Sequence, residues 1–209
     1  MRLDEARRDL YRRLAKEQGY KSRAAFKLLQ ANEKYDFIRK GDTVLDLGAA
    51  PGGWLQVSSK LVGPEGMVIG VDLHEIHLKD KNVRSLSLDV NDPKMVEKVL
   101  TLSKHPVDVV LSDLAPSVSG VWELDQTRQV DLTLRVLELC EAVLKKGGSA
   151  FVKLFEGERS PEVRVEMRKR FKDVRALKPA ASRSASSELY YYCLWWKGVT
   201  QHKTEEQQA

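Results

Sequence analysis

The chain has 209 residues and a mass of 23.7 kDa, which is the size of one globular domain. Its 42% hydrophobic and 31% charged residues predict a soluble folded protein and exclude a disordered one. The sequence contains no apolar run close to the roughly 20 residues of a membrane span, and Met1–Glu5 lacks the apolar core of a secretory signal, so we expect a cytoplasmic protein without a membrane partner. Two isolated cysteines, Cys140 and Cys193, are expected to be buried thiols in a reducing compartment.

The positive charge is concentrated at the N-terminus. Residues 1–40 hold 12 Lys and Arg against 6 Asp and Glu, whereas the other 169 residues hold 23 against 24. A basic segment of this kind favours contact with the phosphates of a nucleic acid. A solvated amphipathic helix is the alternative interpretation.

The hydrophobic pattern along the chain alternates between helices and strands. A thin apolar stripe predicts a helix over 3–18, and a second helix, capped by Ser22, follows it. We then predict strands at 43–47, 67–72, 83–88, 107–112, 149–155 and 189–196, and helices at 54–61, 93–102, 126–144 and 161–171, with Gly147-Gly148 ending the third of these helices. Strands separated by helices predict a doubly wound, mostly parallel α/β sheet in a single domain.

A glycine-rich loop, Gly48-Ala-Ala-Pro-Gly-Gly53, links the first strand to a helix. Glycines let a ligand approach the backbone, and the helix N-terminus offers unpaired N–H groups. The loop lacks the second glycine of the G-x-G-x-x-G pattern that admits a pyrophosphate, which favours S-adenosylmethionine as the ligand. Asp72, at the end of the second strand, is expected to bind ribose hydroxyls, and Asp89 the adenine amino group. The alternative is a tight turn with no ligand.

Four motifs in this order resemble the FtsJ/RrmJ (RlmE) family of ribosomal RNA 2′-O-ribose methyltransferases: Asp46-Leu-Gly-Ala-Ala-Pro-Gly-Gly-Trp54, Ser112-Asp-Leu-Ala-Pro116, Val152-Lys-Leu-Phe155 and Ser184-Ala-Ser-Ser-Glu-Leu-Tyr190. The resemblance implies a Rossmann-like class I methyltransferase fold with a seven-stranded sheet. The resemblance runs from about Tyr20 to Lys197, so we expect a methyltransferase domain over 21–197. The basic N-terminal extension over 1–20 precedes it, and a polar C-terminal tail over 198–209 follows it.

The resemblance further implies which residues form the site. The catalytic set would be Lys27, Asp113, Lys153 and Glu188, with Lys153 as the general base that accepts the proton of a ribose hydroxyl. The residues that contact S-adenosylmethionine would be Gly48, Gly52, Gly53, Trp54, Asp72, Asp89 and Asp113.

The positions of two residues in the predicted sheet support part of the catalytic set independently of the resemblance. Asp113 and Lys153 follow adjacent predicted strands, and open α/β sheets bind their ligands at the carboxyl ends of such strands. A free lysine is protonated at neutral pH, so a lysine base needs surroundings that favour the neutral amine. Whether burial and the second lysine outweigh the two carboxylates is left open. Other interpretations are a solvated Lys27, a Glu188 that caps the last strand, and aromatic residues (Trp54, Tyr190 to Tyr192, Trp195 and Trp196) that only pack.

The expected function is therefore 2′-O-methylation of a uridine in large-subunit rRNA, within the 50S particle or its precursor, by a monomer. We do not expect a metal site, because the four histidines show no ligand spacing. Asp113-Leu-Ala-Pro116-Ser117 also lacks the aromatic residue with which amino methyltransferases stack a target base. The alternatives are a 2′-O-methyltransferase for tRNA, an rRNA-binding assembly factor without activity, and, less favoured by the basic segment, a small-molecule O-methyltransferase.

Overall fold

The computed structural model describes residues 3–182 and 186–198, with side chains from residue 10 onward. The expectations for residues 1–2 and 199–209, for His202 and for the start of the Ser184 motif therefore lie outside the described residues. The elements are α1 Leu3–Glu17, α2 Ala25–Tyr35, β1 Thr43–Leu47, α3 Gly53–Val62, β2 Met67–Asp72, β3 Val83–Ser87, α4 Met95–Ser103, β4 Val107–Ser112, α5 Trp122–Val143, β5 Leu144–Phe155, α6 Ser160–Arg170, β6 Phe171–Leu177 and β7 Glu188–Trp196.

The seven strands form one sheet in the order β3-β2-β1-β4-β5-β7-β6. The pairs from β3 to β5 are parallel, whereas β7 is antiparallel to both β5 and β6. This is the α/β methyltransferase-type architecture expected from the sequence. The strand order reverses between β1 and β4, and the crevice outside the carboxyl ends of these strands is where such sheets bind ligands.

Strand alternation divides the core between the two faces of the sheet. Val152 and Leu154 of β5 belong to the cluster packed under α4, α5 and α6, whereas Phe151 belongs to the cluster packed under α2 and α3. Because side chains alternate along a strand, Lys153 shares the α2–α3 side with Phe151. This placement brings a residue of β5 within reach of α2.

Two predicted boundaries around β5 are wrong. Helix α5 ends at Val143, and Gly147 and Gly148 lie inside β5 rather than after a helix. The β4–β5 register shifts between Val107 and Val109, and a Cβ on Gly148 would lie 2.8 Å from the backbone oxygen of Asp108. The glycines therefore permit a close approach of two strands at this irregularity.

The edge strand β6 and the start of α2 also differ from expectation. The hydrophobic pattern did not predict β6, because Phe171 is its only buried residue. Ser22 does not cap α2: the N-cap residue is Ala24 and it makes no side-chain capping bond. The Ser22 side chain instead lies against Gly53, where an added Cβ would clash with the Ser22 Oγ.

Helix α1 packs against α2 through aromatic side chains. The Tyr11 and Phe26 ring centroids are 5.4 Å apart, and Gln30 donates a 2.9 Å hydrogen bond to the Tyr11 hydroxyl. Among the described residues, no helix is both long and apolar enough to cross a membrane. Cys140 and Cys193 are buried free thiols, and burial raises the pKa of Cys140 to about 12.

Candidate active site

Lys153 of β5 lies at the carboxyl ends of the strands, beside Asp113. Its Nζ donates to Asp113 Oδ1 at 2.9 Å and also to the Asp113 backbone carbonyl. The Lys153 side chain is 6% exposed and that of Asp113 is 22% exposed. The amine is therefore nearly buried, while one edge of its carboxylate partner remains open to a ligand.

Lys27 reaches the same cluster from α2. Its Nζ donates to Glu188 Oε1 at 2.7 Å and to the Tyr190 hydroxyl at 2.8 Å. Tyr190, in turn, donates its proton to Asp113 Oδ1 at 2.6 Å. All four residues of the predicted catalytic set thus lie in one hydrogen-bonded cluster, with Tyr190 as the link between its two ion pairs.

The Tyr190 hydroxyl is the cluster member that the sequence interpretation missed, because Tyr190 to Tyr192 read as packing residues. The β5–β7 register places Tyr190 directly opposite Lys153 and Glu188 opposite Phe155. Below the hydroxyl, the Tyr190 ring stacks on Phe151 at 5.0 Å. Tyr190 therefore serves both as core packing and as a polar contact.

The charges of the cluster shift the pKa values of its acids in opposite directions. Burial would raise the pKa of Asp113, but Lys153, Lys27 and the Tyr190 hydroxyl favour the carboxylate, so the pKa is lowered overall. The pKa of Tyr190 is well above its usual value, because burial and the carboxylates of Asp113 and Glu188 disfavour a phenolate. The cluster thus holds a charged Asp113 and a neutral tyrosine that donates to it.

The glycine loop borders a cavity of about 430 Å³ at the same end of the sheet. Gly48 lines it with a φ of +79°, and a Cβ there would lie 2.9 Å from the Leu114 side chain. Asp72 Oδ2 accepts the backbone N–H of Ala50 at 3.0 Å, which ties the loop to the end of β2. The cavity is large enough for a nucleoside-sized ligand.

The other predicted cofactor residues take different positions around this cavity. Asp89 and Asp113 line it, and Asp89 Oδ1 accepts the backbone N–H of Asn91 at 2.8 Å. The Trp54 side chain does not line the cavity: it is 3% exposed and its Nε1 donates to the Ala24 carbonyl at 2.7 Å. Gly52 and Gly53 are not among the residues that line the cavity either. Gly53 and Trp54 lie in the first turn of α3, where backbone N–H groups have no partner within the helix.

Asp46 is a second residue of interest that the sequence interpretation did not single out as a site residue. Its side chain is fully buried at the end of β1, and neither carboxyl oxygen has a hydrogen-bond partner within the described part of the chain. Burial, and then the negative charges of Asp113 and Asp72, raise its pKa well above the usual value. Folding therefore favours the protonated form of this carboxyl group.

Replacement of this carboxyl group is expected to change how stability depends on pH. The raised pKa means that Asp46 opposes folding increasingly as pH rises above its unfolded-state value. Asp46→Asn should therefore raise the Tm by a few degrees at pH 8, since about 1 kcal/mol moves the Tm of a chain this size by about 2–4 °C. The gain should vanish toward pH 3, as measured by thermal unfolding across this range. An equal Tm difference at both ends would contradict the assignment.

A sequence model of the FtsJ-like methyltransferase family matches residues 20–196. The chain is an FtsJ-like methyltransferase. It is 46% identical over 195 residues to the ribosomal RNA large subunit methyltransferase E of Methanothermobacter thermautotrophicus. The aligned region covers 93% of this chain and 92% of that protein. It is 43% identical to the protein of the same name from Nitrosopumilus maritimus, over 95% of this chain and 100% of that protein.

Solved structures agree with this family. A ribosomal RNA methyltransferase from Plasmodium falciparum superposes on the FtsJ-like methyltransferase with a TM-score of 0.78 at 26% identity, over 86% of this chain and 100% of that one. Fibrillarin from Aeropyrum pernix, solved with bound S-adenosyl-L-methionine, shares the fold with a TM-score of 0.60 at 18% identity, over 84% and 75% of the chains. The methyl donor of this methyltransferase is S-adenosylmethionine, as the glycine loop predicted.

Proposed function

We propose that this FtsJ-like methyltransferase methylates the 2′-oxygen of a ribose in large-subunit rRNA, at a uridine. The observation that carries the proposal is the position of Asp113. This residue lines the cavity beside the glycine loop and also accepts the hydrogen bond of the Lys153 amine. A candidate base and a candidate donor site are thereby joined at one residue.

The residues around the cavity suit S-adenosylmethionine. The Asp72 and Asp89 carboxylates are the acceptors proposed for the ribose hydroxyls and the adenine amino group. Gly48 lets the backbone approach the ligand. The first turn of α3, which follows the same loop, would add backbone N–H donors. When bound, S-adenosylmethionine supplies an electrophilic methyl group on a positively charged sulfur.

The cluster then handles the proton of the acceptor. The bound donor would supply its methyl group to the 2′-oxygen, and the Lys153 amine would take the proton that this hydroxyl loses. Asp113 orients the amine, while Lys27, Glu188 and Tyr190 hold Asp113 through their hydrogen bonds. Positioning of the reacting oxygen and the base together supplies the rate acceleration.

The choice of rRNA rests on the relatives and on charge. The similar proteins from Methanothermobacter and Nitrosopumilus are named as large-subunit rRNA methyltransferases. In this chain, Arg12, Arg13 and Lys16 are exposed on α1, which packs on the helix that carries Lys27. The basic segment is therefore close in the fold to the proposed site, where it would bind phosphates of the same RNA.

The charges of α1 are expected to control how RNA affinity depends on salt. Each phosphate contact contributes about 0.7–0.9 to the slope of log K against log salt concentration. A variant with Gln at positions 12, 13 and 16 should bind rRNA more weakly at low salt and with a slope that is smaller by about 2. Binding of S-adenosylmethionine should not change. Filter binding over a salt series measures the slope.

A matched control removes three charges elsewhere. Lys94, Lys98 and Lys104 are exposed at α4, which packs on the opposite face of the sheet. Their replacement with Gln should leave both affinity and slope close to the wild-type values. An equal loss in the two triple variants would show that net charge, rather than the α1 surface, attracts the RNA.

Transfer of labelled methyl to RNA tests the proposed function. We expect incorporation into large-subunit rRNA, and primer extension at low nucleotide concentration should stop at one ribose. Naked rRNA, the 50S particle and its precursor are separate substrates in the assay. Label in tRNA, label on a base, or RNA binding without incorporation would each replace the proposal with one of the alternatives. We further expect a cytoplasmic monomer, which sedimentation and cell fractionation test.

A further inference from the structure

An aromatic pair outside the catalytic cluster lies at the same end of the sheet. The rings of Trp122 and Phe155 are 6.2 Å apart, with an interplanar angle of 22°. Trp122 is the first residue of α5 and is 46% exposed, whereas Phe155 is the last residue of β5. The pair is thus stacked and open to solvent on the Trp122 side.

The register of β5 places this pair beside the candidate base. Phe155 lies two residues after Lys153, so strand alternation sets both on one side of β5, about 6.5 Å apart along the strand. Its partner across the β5–β7 pair is Glu188 of the catalytic cluster. A nucleotide whose ribose reached Lys153 would therefore have its base, or that of a neighbour, within reach of these rings.

The segment before Trp122 is apolar, exposed and held in place. Val118 is 81% exposed and Val121 is 54% exposed, in a loop that starts at Asp113. The Asp125 carboxylate accepts the Ser119 backbone N–H at 2.8 Å and the Ser119 hydroxyl at 2.7 Å, and these bonds lower the pKa of Asp125. The loop is thereby tied to α5, which fixes the position of Trp122.

The nearby charges favour a base over a phosphate as the occupant. The guanidinium of Arg164 pairs with Glu156 at 3.1 Å, and that of Arg159 pairs with Asp131 at 3.1 Å. These cations are already neutralised, and Glu123 adds a negative charge next to Trp122. Aromatic side chains stack on the π-face of any unpaired base, so a base is the occupant that this surface favours.

We propose that Trp122 and Phe155 form a platform on which an unpaired base of the acceptor RNA stacks, at or next to the methylated nucleotide. This inference rests on the proposed 2′-O-methylation and assigns the residues that present the ribose to it. Stacking on Trp122 holds the splayed nucleotide in place, so that its 2′-hydroxyl lies at the Lys153 amine.

The test combines a variant with a modified RNA. On the mapped rRNA substrate, Trp122→Ala should raise KM or lower kcat/KM about 5- to 100-fold, because stacking of one base is worth that much in other proteins. On the same RNA with an abasic site at the target or the adjacent nucleotide, wild-type protein and variant should differ little. Trp122→Phe should restore most of the activity, and the salt slope and affinity for S-adenosylmethionine should match wild type.

Trp195→Ala is the matched control, since Trp195 is 49% exposed at the far end of β7 and should have no effect. An unchanged kcat/KM for Trp122→Ala, or an equal loss on abasic RNA, overturns the platform. A loss seen only with assembled particles and not with naked RNA also overturns it, in favour of a protein docking surface. Failure of wild-type protein to methylate a ribose would instead refute the proposed function.

Discussion

Lys153→Ala is expected to lower kcat for methyl transfer by about 10²–10⁴, the range that a general base contributes. The Lys153 amine reaches the cluster from β5, where it donates to Asp113, and it is the base in the proposed function. The donor cavity lies on the other side of Asp113 and does not include Lys153 among its lining residues. Affinity for S-adenosylmethionine should therefore stay close to that of wild type.

Single-turnover methylation and calorimetric donor binding measure the two effects separately. At saturating donor, the single-turnover rate of Lys153→Ala should remain far below that of wild type. Lys146→Ala is the control, because Lys146 is exposed near the start of the same strand. Turnover retained by Lys153→Ala would refute the general-base assignment.

Asp113→Asn should abolish methylation and, unlike Lys153→Ala, weaken donor binding as well. Asp113 is shared by the cavity and the cluster, where it accepts hydrogen bonds from Lys153 and Tyr190. Loss of its charge leaves two buried lysines facing one remaining carboxylate, that of Glu188. Breaking a buried ion pair costs about 3–5 kcal/mol, and we expect the lower end of this range because the Asp113 side chain is 22% exposed.

The stability difference should depend on pH with a defined sign. Because the folded-state pKa of Asp113 is below its usual value of 3.8, its charge stabilises the fold above that pH. The stabilisation is lost as pH falls through the lowered folded-state pKa. Urea unfolding should therefore show the full difference between wild type and variant at pH 7, and a difference that shrinks as pH falls below 3.8.

Asp131→Asn provides the comparison for this effect. The Asp131 carboxylate also pairs with a cation, Arg159, but its side chain is 62% exposed. Exposed ion pairs contribute about 0–1 kcal/mol, so this variant should unfold nearly as wild type does and retain normal donor affinity. A cost as large as that of Asp113→Asn would show that burial does not govern the strength of these pairs.

Local patterns predicted most of the elements and failed where tertiary contacts decide. The strands 67–72 and 107–112 were predicted with the bounds that the structure shows, because buried parallel strands read as continuous apolar runs. The edge strand β6 was not predicted. Phe171 is the one buried residue of this strand, so its sequence shows no continuous apolar run. The pattern at Gly147 and Gly148 predicts a helix stop, although their role depends on how closely the β4 backbone approaches.

Some features of the candidate site can likewise be predicted from local sequence, whereas others depend on the tertiary structure. The glycine loop, the acidic strand ends and the order of the four motifs are local, so the sequence by itself determined the fold class and the family. Lys27 and Glu188 are 161 residues apart and meet only because β7 lies antiparallel beside β5. The Tyr190 link, the buried Asp46 and the stack of Trp122 on Phe155 were likewise decided by the tertiary structure. Periodicity reports which face of an element is buried, but it does not report which elements become neighbours.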